Sequence, residues 1–90
     1  MNDFLNAIRL LIATLKSSGQ QGQYVYWQVM PDEVYDATLV SLRALGTRKW
    51  ANVVMIAAGT NSIAEPLPET MLYLPLPSQI QQLEAQYLGG

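Results

Sequence analysis

Charge is unevenly distributed along this chain, and one long uncharged segment constrains how the chain can fold. None of the fifteen residues from Trp50 to Ala64 is charged, and no lysine or arginine follows Lys49. Within this segment, the residues from Asn52 to Ala58 are mostly apolar, and three of them are β-branched. This pattern predicts a short strand that is buried on both faces and ends at Gly59.

An amphipathic helix is predicted over residues 3–17, where apolar residues recur at helical spacing. This apolar stripe is expected to pack on the sheet through Ile8, Leu11 and Leu15. A pair of serines and then Gly19 follow the helix, and these residue types favour its end at this point.

A strand is predicted from Tyr24 to Met30, because this run is rich in aromatic and β-branched residues and stops at Pro31. Apolar side chains on both of its faces favour a central strand. A second helix is expected to start at Pro31 and to end at Gly46. With the strand at Asn52–Ala58, this order predicts a β-α-β unit with parallel strands, and an antiparallel arrangement stays open.

The last third of the chain is rich in proline, with three prolines from residue 66 to residue 75. Residues 71–76 are predicted to be extended, and Pro75 confines them to a sheet edge or to a segment that leaves the sheet. A third helix is expected to begin at Ser78, paired with Gln81 in a capping box. The sequence thus predicts a small α+β domain with three helices and two or three strands, in the order α-β-α-β-β-α. The core of the sheet is expected to contain Val25, Trp27, Val29, Val53, Val54 and Ile56.

Two interpretations of the C-terminal region stay open. Residues 1–64 are predicted to form a compact core, and residues 65–90 a proline-rich extended segment and a helix within the same domain. In one interpretation this region is an arm that packs on a neighbouring subunit, since proline lowers the entropy cost of ordering an extended segment. In the other, the region is an edge strand and a helix that close the chain's own core.

The residue types present exclude several classes of chemistry. The chain has 90 residues with no cysteine and no histidine, so it lacks disulfides and the ligands that zinc, copper and haem sites need. Catalysis by a histidine base or a cysteine nucleophile is also excluded. The sequence predicts no enzyme activity, cofactor or metal site, and the acidic residues Asp32, Glu33 and Asp36 are explained by their position at a helix N-terminus. No apolar run is long enough to cross a membrane and the N-terminus does not resemble a signal peptide, so a cytoplasmic or virion location is expected.

Three of the five cations lie close together in the sequence, as Arg43, Arg48 and Lys49, next to Trp50. A group of this kind is able to bind a phosphate or to stack on a base. The net charge of -2 disfavours a surface for duplex nucleic acid, and cations around a helix end are common. These four residues are therefore a candidate anion site, and nucleic-acid binding is the weakest of three functional hypotheses.

Few charged side chains are left to cover the surface, since 13% of the residues are charged against about 25% in an ordinary soluble domain. Interfaces are depleted in Lys, Glu and Asp and enriched in Tyr, Trp and Met, which number five, two and four here. The predicted function is a non-enzymatic structural or assembly subunit that associates with itself or with a larger complex, for example in a virion shell, neck or tail. The alternative is a small regulatory or adaptor protein that binds one larger partner. The expected partner-binding residues are Tyr24, Tyr26, Trp27, Leu72, Leu74, Leu76, Ile80, Leu83 and Tyr87.

Overall fold

A computed structural model describes residues 2–18, 22, 24–60 and 65–88 of the chain. Within these ranges the elements are helix α1 (Asn2–Ser18), strand β1 (Tyr24–Gln28), helix α2 (Ala37–Leu45), helix α3 (Ala51–Ala58), strand β2 (Met71–Pro75) and helix α4 (Pro77–Tyr87). Single 3-10 turns at Pro31–Glu33 and Arg48–Trp50 precede α2 and α3. The predicted α+β class is confirmed, and so is the first helix.

The sheet consists of β1 and β2, which pair antiparallel so that Tyr26 lies opposite Tyr73. A hydrogen bond from the Val29 N–H to the Thr70 carbonyl (3.0 Å) continues the ladder beyond the strand ends. In the part of the chain that the structure describes, β1 has β2 as its single neighbour. The prediction of a central strand is therefore wrong, and β1 is an edge strand.

The core lies between one face of the sheet and the helices. Side chains alternate along a strand, and on this inner face Leu72 and Leu74 of β2 are buried. Ile8 and Leu15 of α1 are also buried, and Leu11 is partly buried, as the spacing predicted. All six residues expected in the core of the sheet are buried or packed against the core. Val25, Trp27 and Val29 reach it from β1 and the residue after it, whereas Val53, Val54 and Ile56 reach it from α3.

The prediction of a second strand at Asn52–Ala58 is wrong, because these residues belong to α3. A short apolar run does not distinguish a buried strand from a buried helix by its periodicity, and Met55 and the neighbouring alanines favour a helix. Since α3 packs against α1, α2 and β2, it needs no polar face. Gly59 ends the helix in the left-handed conformation, at φ 78°. The predicted β-α-β unit is absent from the described residues for the same reason, and their order is α-β-α-α-β-α.

The second helix begins later than predicted. Pro31 opens a separate 3-10 turn, and α2 starts only after Asp36, whose carboxylate accepts a hydrogen bond from the Leu39 N–H (3.2 Å). This side chain satisfies a free N–H group of the first turn, which fixes the start of the helix. Gly46, at φ 85°, ends α2 as predicted.

The last helix begins slightly earlier than predicted. Its N-terminal cap is Leu76 rather than Ser78. The side chain of Gln79, not that of Gln81, accepts a hydrogen bond from the Leu76 N–H (2.9 Å). The predicted capping interaction is thus made two residues earlier in the chain, with proline in the first turn.

Residues 65–88 pack on the same core as the rest of the described chain. The Leu67 N–H donates to the Val34 carbonyl (2.7 Å), and the Trp50 indole N–H donates to Glu84 (3.1 Å). Five side chains of this region are buried: Leu67, Leu72, Leu74, Pro75 and Ile80. In the single chain this region therefore supplies β2 and α4 to its own core, and its contact with a neighbouring subunit stays a prediction.

Candidate functional site

Three tyrosine rings lie together on the outer face of the sheet, and we call them the tyrosine face: Tyr24, Tyr26 and Tyr73. The rings of Tyr26 and Tyr73 stack, with centroids 4.7 Å apart and 18° between their planes. The ring of Tyr24 meets Tyr73 edge-on at 5.1 Å and Tyr26 at 6.4 Å. The alternation of side chains along both strands thus builds one contiguous aromatic surface.

The tyrosine face is open to solvent and contains no lysine, arginine, aspartate or glutamate. Tyr26 is 52% exposed, and the other two tyrosines are half-buried. Gln28 and Met71, which lie opposite each other at the end of the ladder, are exposed on the same side. A hydrogen bond with the Tyr73 side chain, assisted by desolvation, raises the pKa of Tyr26 above that of an ordinary tyrosine. The raised pKa therefore favours the neutral form of the Tyr26 hydroxyl.

Trp27 lies on the opposite face of the sheet from the two tyrosines with which it was grouped in the sequence. Its ring packs against the core, and its indole N–H donates to Glu33 (3.1 Å). Tyr73 takes the place beside Tyr24 and Tyr26 instead. Sequence reasoning missed Tyr73, although its position between two buried leucines of an extended run indicates that its side chain points away from the core.

The remaining predicted partner-binding residues lie at different depths in the fold. Leu72, Leu74 and Ile80 are buried in the chain's own core, and Leu76 and Leu83 are partly buried. Tyr87, at the end of α4, is 42% exposed. A partner is able to reach Tyr87 directly, whereas contact with the buried residues requires this region to leave the core.

Arg43, the first of the candidate anion-binding residues, is held by two carboxylates. Its Nη2 lies 3.0 Å from Asp32 Oδ2, and its Nη1 lies 3.0 Å from Glu33 Oε2. Hydrogen bonding with Arg43 lowers the pKa of Asp32, and the bonds to Asp32 and then Glu33 raise the pKa of Arg43. Arg43 is therefore engaged within the fold.

Glu33 is fully buried, although no local pattern around it predicts this burial. Its Oε1 accepts hydrogen bonds from the indole N–H of Trp27 (3.1 Å) and from the backbone N–H of Met30 (2.8 Å), while its Oε2 faces Arg43. A buried carboxylate requires partners of this kind. Glu33 therefore joins the end of β1 to α2, a role that the helix-terminus interpretation did not include.

Arg48 and Lys49 also have carboxylates nearby. Arg48 Nη1 lies 4.0 Å from Asp36 Oδ2, and Lys49 Nζ lies 3.8 Å from Glu84 Oε1. Lys49 also lies over the ring of Trp50, 4.9 Å from its centroid, and Trp50 itself is only 3% exposed. The three cations are thus distributed among separate ion pairs, and binding of an anion by this group stays a prediction.

The described residues form no metal site, pocket or membrane-spanning helix beside the tyrosine face. Within the described ranges, no cluster of three or more acidic side chains is arranged to hold a metal ion, and no pocket is found. None of the helices in these ranges is both long enough and apolar enough to cross a membrane. Comparisons with protein-family models, with curated proteins and with solved structures found no match. Among the described residues, the tyrosine face is therefore the candidate site.

Proposed function

We propose that this chain is a non-enzymatic structural or assembly subunit that acts through protein–protein contacts. The observation that carries the proposal is the tyrosine face, in which three aromatic rings contact one another on the solvent side of the sheet. Single exposed apolar residues are normal on any protein surface, whereas contiguous patches mark interaction sites.

The chemistry of the tyrosine face favours a protein partner. Tyrosine is frequent at interfaces because its ring supplies rigid contact area at low conformational cost and its hydroxyl still forms hydrogen bonds. Charged residues are depleted at the centres of interfaces, and the neighbouring side chains of Gln28 and Met71 are uncharged. The face therefore has the composition of an interface centre.

The contacts among the rings reduce the ring surface that is free to stack on a nucleic-acid base or a sugar. A stacked ligand needs a free ring face. Tyr26 and Tyr73 already cover one face of each other, and Tyr24 meets Tyr73 edge-on. The described residues of the outer face also include no cation that would hold a phosphate.

Two kinds of protein contact fit this surface. A subunit of a virion shell, neck or tail buries much of its surface against neighbouring subunits, and an uncharged aromatic face serves that purpose. A small adaptor would use the same face for one larger partner. The two hypotheses differ in whether the chain binds to copies of itself.

Light scattering of the full chain across a concentration series tests the proposal. We expect the molar mass to rise with concentration. Tyr26→Lys places a charge at the centre of the tyrosine face, and burial of an unpaired charge should move the midpoint of association to a concentration about tenfold higher or more. Tyr35→Lys is the matched control, since Tyr35 is 78% exposed and lies outside the sheet.

Equal association of the two lysine variants would contradict the tyrosine face as the contact surface. A chain that is monomeric at every concentration would contradict self-assembly. If such a monomer co-purifies with one larger protein, and Tyr26→Lys releases it while Tyr35→Lys does not, the adaptor hypothesis is correct instead.

A further inference from the structure

We infer that the free edge of β1 pairs with β1 of a second copy of this chain, antiparallel and centred on Tyr26. The inference rests on the proposed function and deepens it, because it names the partner and the backbone contact.

The register of the sheet determines which groups of β1 are unpaired. In an antiparallel ladder, residues that bond to the neighbouring strand alternate with residues whose N–H and C=O point away from it. The hydrogen bond from the Val29 N–H to the Thr70 carbonyl shows which backbone groups point to β2. They are the N–H and C=O groups of Val29 and of every second residue before it, Trp27 and Val25. The residues whose N–H and C=O point to the free edge are Tyr24, Tyr26 and Gln28. Among the described residues, no hydrogen bond joins these outward groups to another segment.

The edge of β1 is more accessible than the edge of β2. No residue of β1 is fully buried, whereas Leu72, Leu74 and Pro75 of β2 are buried, and β2 packs against α1 and α3. Pro75 also occupies one of the outward positions of β2, and proline has no N–H to donate. A complete row of donors and acceptors is therefore offered by β1 alone in the described sheet.

The edge of β1 lacks the features that normally prevent strand pairing. Natural edge strands are protected by charged side chains, by proline or by a bulge. The seven residues from Tyr24 to Met30 include no charge and no proline, and the pairing with β2 has no bulge. An unprotected edge of this kind is expected when the edge is paired in the assembled protein.

The sequence of β1 is complementary to itself about a two-fold axis at Tyr26. In that register, Tyr26 faces its own copy and Tyr24 faces Gln28 of the second chain, so every outward group finds a partner. On the inner side Val25 comes opposite Trp27, and pairs of aromatic and β-branched residues stabilise a sheet. No like charges meet, and the tyrosine faces of both copies join on one side of a four-stranded sheet.

Amide hydrogen exchange measured by NMR on the full chain tests the pairing residue by residue. The outward amides of Tyr24, Tyr26 and Gln28 should exchange readily in the dilute monomer and become protected by about tenfold or more as the concentration rises. The amide of Val29, which is bonded to Thr70 in the monomer, should change much less.

Two proline variants supply an independent test. Gln28→Pro removes one outward donor of β1 and is expected to abolish the concentration-dependent dimer in sedimentation experiments. Met71→Pro is the matched control, because Met71 is the cross-strand partner of Gln28 and its N–H also points away from the ladder. Circular dichroism and thermal unfolding verify that both variants fold. If Gln28→Pro does not fold, the exchange experiment on the unmodified chain decides.

The possible outcomes separate this inference from the proposed function. Protection of the three outward amides, with loss of the dimer in Gln28→Pro alone, supports the pairing. Association that persists in Gln28→Pro, or that leaves these amides unprotected, overturns the β1 pairing and leaves self-assembly intact. Loss of the dimer in Met71→Pro alone places the contact at β2 and overturns the inference as well. A chain that stays monomeric at every concentration overturns both the β1 pairing and self-assembly.

Discussion

The two strands of the sheet are paired along their whole length, yet they contribute to different properties of the molecule. In the cross-strand pair of Val25 and Leu74, Leu74 is fully buried and Val25 is only partly buried. The helices α1 and α3 pack on β2, whereas β1 contacts α2. A two-stranded sheet can thus place most of its buried side chains on one strand and leave the outer edge of the other unpaired.

Alanine substitutions at Val25 and Leu74 should show the largest difference between the strands in the free energy of unfolding. Leu74→Ala is expected to lower the free energy of unfolding by about 2–5 kcal/mol, since it removes a fully buried side chain and leaves a cavity. Val25→Ala should cost clearly less, because Val25 is smaller and only partly buried. Urea denaturation measures both values, and equal losses would contradict the assignment of the core to β2.

Substitution of Glu33 should change the free energy of unfolding less than Leu74→Ala does. It tests how β1 is attached to the fold, because Glu33 bonds to Trp27 and to the Met30 N–H at the end of this strand. Glu33→Gln should lower the free energy of unfolding by about 1–3 kcal/mol, since the carboxylate is fully buried and its hydrogen bonds with Trp27 and Arg43 lose a charged partner. Asp32→Asn removes the exposed partner of the same arginine and should cost at most about 1 kcal/mol. A larger loss in Asp32→Asn than in Glu33→Gln would show that β1 is not held by the buried carboxylate.

The smallest expected effect is a pH dependence of the contact between the strands on the outer face. The pKa of Tyr26 is raised in the folded chain, mainly by the hydrogen bond with Tyr73, so the folded chain holds this proton more tightly than the unfolded chain. This contribution to stability is complete below the ordinary tyrosine pKa of 10.0 and is lost as the pH rises above it.

Thermal unfolding followed across this alkaline range measures the effect. Tyr73→Phe removes the hydroxyl that bonds to Tyr26 and keeps the stacked ring, so its unfolding temperature should fall less steeply with pH than that of the unmodified chain. Identical slopes in the two proteins would contradict a contribution from this hydrogen bond.

The elements with long or strongly patterned sequences could be predicted, and the ambiguous ones could not. Helix α1 has an apolar stripe over several turns, and β1 combines aromatic residues with β-branched ones. By contrast, Asn52–Ala58 is short and almost uniformly apolar, and such a run is equally compatible with a buried strand and a buried helix. Its burial is confirmed only in part, since Val53 and Val54 are buried and the other five residues are partly buried, and its conformation depends on the neighbours that surround it.

The candidate site was predictable only where it depends on local spacing. Tyr24 and Tyr26 share a face because they are two residues apart in a strand. Tyr73 joins them through pairing with a distant strand, and no local pattern shows that register. The burial of Glu33 has the same origin, because Trp27 and Arg43 surround it only after β1 and α2 have come together.

The order of the elements along the chain has a consequence for how the protein is made. Residues 29–70 lie between the two strands, so β1 leaves the ribosome well before its partner β2 exists. During this interval both edges of β1 are unpaired, and chains synthesised close together meet each other's β1 first. A second chain that paired with the edge of β1 that β2 later occupies would therefore block completion of the domain, and the time for which this edge stays open depends on how rapidly the chain brings β2 back to β1.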